Sequence, residues 1–163
     1  MDENEETIKE NFESAKQKIT GLRSGFDKKV YANGLREIWT AFDTLLKWRF
    51  SADRQKFSQL YQLPFEKWDK TSTFTKNLDE LRKLGPVKDM DIRHNRPPTV
   101  INDPNNLFQI LQHSYRIRSN LTHGPKVLGG NSPESIRNRA LVEYSFIVTF
   151  EILENVLRNE KII

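Results

Sequence analysis

Apolar residues at Ile8, Phe12, Ala15, Ile19 and Leu22 recur at steps of four and three, one stripe of an amphipathic helix from about Asn4 to Leu22 that ends before Gly25. A stronger pattern follows in Tyr31, Leu35, Ile38, Trp39, Phe42, Leu45, Leu46 and Phe50. It predicts a long helix with a wide buried face, capped by Asp27. From Ser51 to Leu84 the pattern weakens to two short helices: Phe57, Leu60 and Leu63 before a break at Pro64, then Phe74, Leu78, Leu81 and Leu84, closed by Gly85-Pro86. Val87 to Asp103 contains Arg93-His94-Asn95-Arg96-Pro97-Pro98, whose prolines remove donors and restrict the residues before them, so residues 87–103 are expected as an extended crossing loop.

Asp103-Pro104 predicts the start of another helix, ended by Gly124-Pro125. A flexible loop through Gly129-Gly130-Asn131 leads to Ser132-Pro133, which opens a last helix reaching about Arg158. Its apolar residues, among them Ile136, Leu141, Tyr144, Val148, Ile152 and Val156, cover much of its circumference and predict burial between other helices. With no repeat, low-complexity tract or strand series, residues 1–163 read as one all-α helical bundle with long core helices and a buried terminal helix.

Composition narrows the function classes. Charged residues make up 29% of the 163 positions, yet 10% are aromatic, which argues for a folded core over disorder. The absence of cysteine removes disulfide frameworks, zinc ribbons and thiolate catalysis, and is compatible with a reducing cytoplasm. No apolar run approaches the ~18 residues that cross a bilayer, and Met1 to Glu6 is acidic where a secretory signal is basic. Neither membrane insertion nor export is expected, and the expected location is cytoplasmic. The histidines, His94, His113 and His123, lack helical i, i+4 partners or neighbouring acids at ligand spacing, so no metal is predicted. No phosphate-loop or dinucleotide glycine pattern occurs, and no cofactor is expected. Trp39 and Trp48 sit at core spacing, which favours packing over base stacking.

Net charge is +4 but unevenly spread. Between Leu107 and Val142, five basic residues (Arg116, Arg118, Lys126, Arg137 and Arg139) face one acid, Glu134; elsewhere 21 basic residues balance 21 acidic ones. Such a segment could face phosphate or be a solvated surface. The Arg93 to Arg96 run is a secondary candidate for nucleic acid, beside its plainer reading as a solvated connection.

At about 100° per residue, Arg118 falls on the same arc as Leu107, Ile110, Leu111, Ser114, Ile117 and Leu121. An unpaired buried guanidinium costs several kcal/mol, so Arg118 is expected to meet an acid inside the fold, face a partner subunit or line a cleft. His123 follows where Gly124-Pro125 ends the helix, close enough for a frayed end to turn its imidazole towards the same cleft. The plainer alternative is a structural arginine and a terminal histidine interacting with the helix dipole.

The string Tyr115-Arg116-Ile117-Arg118-Ser119-Asn120-Leu121-Thr122-His123-Gly124-Pro125-Lys126 resembles the signature of HEPN domains, where four to six residues separate an arginine and a histidine near a helix end. Its Arg-x-Asn-Leu-x-His-Gly form is similar to that of stand-alone bacterial members. Trp39-Thr40-Ala41-Phe42, the Arg93 to Pro98 stretch and Arg137-Asn138-Arg139 resemble the same group more loosely. The resemblance implies a helical domain that usually dimerises, with both copies of Arg118 and His123 meeting in a shared cleft. It implies a metal-independent endoribonuclease, with a toxin-antitoxin or defence role and an antitoxin or regulatory protein as a further partner.

On that reading RNA is the substrate. His123 moves protons, Arg118 holds phosphate, and Asn120 orients substrate or caps the motif helix. Arg116, Lys126, Arg137 and Arg139 bind RNA. The alternative is a non-catalytic dimerisation module that binds nucleotide, RNA or a protein. Two departures matter: Ser119 stands where family toxins often carry Asn, Asp or His, and Pro125 stands where members silenced by nucleotidylation carry tyrosine.

Overall fold

The computed structural model describes residues 2–21, 27–50, 64–123 and 128–163, with the side chains of Lys28, Ile92 and His123 outside the description. Among the described residues the chain is all-helical, with five α-helices and no strand. Helix α1 is Glu3–Thr20, α2 Lys28–Phe50, α3 Ser72–Lys83, α4 Leu107–His123 and α5 Pro133–Asn159. Phe57, Leu60, Leu63, Gly25 and Gly124-Pro125, used above to place elements, lie outside the described residues. Among the described residues, no helix is long and apolar enough to cross a membrane.

Helix starts follow the capping chemistry. Asp2 accepts from Asn4 N (2.7 Å), Asp27 from Lys29 N (2.9 Å), Thr71 from Phe74 N (3.0 Å) and Ser132 from Ser135 N (3.1 Å), each satisfying an amide that has no partner within its helix. The exception is Asp103-Pro104, where a helix start is expected and α4 begins only at Leu107. The Asp103 carboxylate accepts from Asn105 N (2.8 Å) and closes a separate turn. Asn106 takes over as cap, accepting from Gln109 N (3.1 Å), while Gln109 Oε1 reaches back to the amides of Asn102 and Asp103.

Helices α2 and α5 pack together at the centre. Tyr31 meets Phe146 edge-on at 6.0 Å between ring centroids, and Phe12 of α1 stacks on Phe150 of α5 at 5.3 Å. The stripe Ile8, Phe12 and Ala15 is buried as its spacing predicts, and so is Phe74, Leu78 and Leu81 on α3. Helix α5 buries most of its length, though Ile136 in its first turns is 53% exposed. One polar knot crosses this core: Trp39 Nε1 donates to Ser114 Oγ (3.0 Å), Ser145 Oγ donates to the same oxygen (2.9 Å), and Thr149 Oγ1 lies 2.7 Å from it. It ties α2, α4 and α5 with its hydroxyls mutually satisfied.

Residues 87–103 double back on themselves. Val87 and Thr99 exchange two backbone hydrogen bonds of 2.9 Å as an isolated antiparallel bridge, and Ile92–His94 forms a turn of 3-10 helix between them. Thr99 Oγ1 directs its proton towards Val87 O (3.4 Å) and lies 3.1 Å from His113 Nδ1, from which it then accepts. His113 Nε2 is buried without a partner, so protonation would bury a donor with no acceptor.

Burial, helped by the nearby charges of Arg137 and Arg116, pulls the His113 imidazole down to about 4 from its ordinary 6.5. Between those two values the unfolded chain binds a proton that the folded chain refuses, so stability falls as pH drops from about 6.5 to about 4 and His113 adds nothing further below that. The expected loss is on the order of 3 kcal/mol. Denaturant unfolding at pH 7 and pH 4 checks it: His113→Gln should lose most of the wild-type difference, and an unchanged difference would exclude His113 as its source.

Candidate RNA-facing site on the motif helix

Helix α4 runs against α5 and α2 and beneath residues 87–99, so most of its circumference is covered. Of the basic residues singled out around it, three point inward. Arg116 is buried and donates through Nη1 to Val87 O (3.3 Å) and Pro97 O (3.2 Å). Arg137 donates to Leu84 O through Nε (3.1 Å) and Nη2 (2.8 Å), and to Pro86 O (2.7 Å). Arg139 donates to Leu128 O (3.0 Å) and Gly130 O (2.6 Å). All three therefore hold loop carbonyls against the helices. Lys126 lies outside the described residues.

Arg118 differs from them. It is half-buried, its Nε is buried without a hydrogen-bond partner, and no acid among the described residues lies within ion-pair distance of it. Its guanidinium carbon sits 5.9 Å from the centroid of the Tyr115 ring, at the outer range of a cation–π contact. Tyr115 in turn meets Trp39 edge-on at 5.2 Å, so the arginine rests on an aromatic step leading down to α2. Of the three environments anticipated for Arg118, an internal acid is not found among the described residues.

His123 is the last residue of α4. Ideal helix geometry sets its Cα roughly 7.5 Å along the axis and about 140° around it from Arg118. The His123 imidazole lies outside the described side chains.

Asn120 turns towards the crossing segment. Its Nδ2 donates to Lys88 O (2.9 Å) and its Oδ1 accepts from Met90 N (3.0 Å), so the amide completes a two-bond clamp on a main chain far away in sequence. Asn120→Ala is expected to lower unfolding free energy by about 1–2 kcal/mol. This would appear as a lower urea midpoint at an unchanged m value; an unmoved midpoint would show that the clamp carries no weight.

The Arg93 to Arg96 run carries its own ion pairs. Arg93 grips Asp91 through Nε (2.9 Å) and Nη2 (2.8 Å), and His94 lies 3.4 Å from Asp89. The Arg93 side chain holds the Asp91 carboxyl well below the usual carboxylate range. The partners of these side chains, and the carbonyls taken by Arg116, Arg137 and Arg139, have no signal in the sequence. Compared with models of known protein families, with curated proteins and with solved structures, the chain finds no match.

Proposed function

We propose that the chain is a metal-independent endoribonuclease of HEPN type that cleaves single-stranded RNA in a cleft shared by two copies. The observation that carries this reading is Arg118, a half-buried guanidinium with a buried, unpartnered Nε and no carboxylate to neutralise it among the described residues. A cation held in this way is prepared for an anion from outside the chain, and its planar fork of donors matches a phosphate. Support also comes from position: Arg118 precedes the helix-ending His123 with four residues between, the spacing of the family it resembles.

In the proposed reaction the RNA 2′-hydroxyl attacks the adjacent phosphorus while the P–O5′ bond breaks. The products are a 2′,3′-cyclic phosphate and a free 5′-hydroxyl. His123 of one copy accepts the 2′-hydroxyl proton, and the second His123 supplies one to the leaving oxygen. Arg118 offsets the charge that builds on the phosphorane oxygens. Because three of the neighbouring arginines spend donors on loop carbonyls, direct phosphate contact rests chiefly on Arg118, with Lys126 as the further basic residue expected from the sequence.

Purified protein incubated with mixed single-stranded RNA in excess chelator tests the proposal directly. Fragments ending in 2′,3′-cyclic phosphate are expected, and intact RNA across a broad panel of substrates would overturn it. Sedimentation supplies the second measurement, with a dimer expected; a monomer at high concentration would overturn the shared cleft.

A further inference from the structure

A cavity of about 420 Å³ opens between the last turns of α4, the Pro86–Met90 segment and the start of α5, and Arg118 takes no part in lining it. Its volume falls within the roughly 300–1,000 Å³ usual for small-molecule sites. Ile117, Leu121, Leu128 and Leu141 form its apolar floor, with each residue buried overall. Its walls are fixed in advance. Arg137 ties Pro86 O, and the Asn120 amide ties Lys88 O and Met90 N. The cavity therefore needs little ordering when a ligand enters.

Its chemistry selects among ligands. Pro86 O, Lys88 O, Met90 N and both ends of the Asn120 amide are already spent within the fold, and Asn138 has a partner of its own. With these hydrogen bonds already committed, little polar capacity is left there for reading the edge of a nucleobase. Two cations line the cavity, Lys88 and Arg137. Lys88 is exposed and makes no ion pair or side-chain hydrogen bond among the described residues, and Arg137 Nη1 is the one guanidinium nitrogen left over by its carbonyl clamp. The single acid, Glu134, stands in the first turn of α5, where the helix dipole stabilises its charge, so the lining sets two cations against one anion.

We propose that this cavity is a binding site for a small amphipathic organic acid, its hydrocarbon body on the Ile117–Leu121–Leu128–Leu141 floor and its anionic group between Lys88 and Arg137. The proposal stands apart from RNA cleavage and from the Arg118–His123 pair.

Naphthalene-2-carboxylate and its neutral counterpart naphthalene-2-methanol are suitable probes, titrated into the full chain by calorimetry with leucine and isoleucine methyl resonances followed in parallel. Saturable binding of one carboxylate per chain is expected, with shifts centred on Leu121, Leu128, Leu141 and Ile117. Lys88→Met should weaken the carboxylate by about fivefold and leave the alcohol unchanged. Leu128→Phe, which fills the floor, should weaken both. Should that variant fold poorly, the exposed Lys88→Met still decides the matter. Absence of saturable binding at millimolar probe, shifts centred elsewhere, or equal carboxylate affinity in wild type and Lys88→Met would overturn the proposal.

Discussion

Replacing His123 with alanine is expected to lower RNA cleavage by about 100-fold or more while RNA affinity changes little. The lower bound follows from what a positioned acid or base contributes, roughly 10²–10⁴-fold. On the proposed reading affinity is largely spared because the phosphate is gripped by the Arg118 guanidinium of both copies, while His123 acts chiefly in proton transfer. Arg118→Ala removes binding and transition-state stabilisation together, so it separates the two roles less cleanly. Arg118→Lys is more informative. It keeps the charge but loses the planar fork, and should keep salt-dependent RNA binding while cleavage falls. Rates measured in chelator with purified protein decide the matter. If His123→Ala cuts as fast as wild type, the nuclease reading fails. Retained RNA binding without cleavage in the wild type would instead favour a module that binds without cutting.

The helices were legible because burial and period coincide. Ile8, Phe12 and Ala15, the α2 series from Tyr31 to Leu46, and Phe74, Leu78 and Leu81 are all spaced as one helix face and all lie in the core. Residues 103–106 were less legible, because an Asp-Pro pair suits both a helix start and a free-standing turn. Gln109, folding back onto the amides of Asn102 and Asp103, favours the turn. In the candidate site, period alone marks Arg118 as an arginine on an apolar arc. Charge alone cannot separate it from Arg116, Arg137 and Arg139, whose carbonyl partners include residues 29, 53 and 11 positions away in the chain. A guanidinium that braces a loop and one whose Nε is buried without a partner look the same until the loop has a path. The same reason hides the cavity, whose floor is assembled from two helices and the loop residue Leu128.

Gly34→Ala is expected to destabilise the fold by about 1–3 kcal/mol, although alanine is the better helix former. Gly34 sits inside α2, where the lack of a side chain lets α5 approach. A Cβ built there would lie 2.4 Å from two ring carbons of Phe146 and 3.0 Å from a third. The ring has little room to yield, being fully buried and set edge-on against Tyr31. Helix propensity, which for glycine is largely its greater unfolded-state entropy, favours alanine by up to about 1 kcal/mol, and the clash is expected to exceed it. A double-mutant cycle isolates the contact. Phe146→Leu removes the ring and leaves space for the new methyl group, so adding Gly34→Ala to it should be neutral or stabilising. Urea unfolding of the four proteins measures the coupling. If Gly34→Ala costs the same with and without the Phe146 ring, the close approach of α2 and α5 is not what requires glycine at this position.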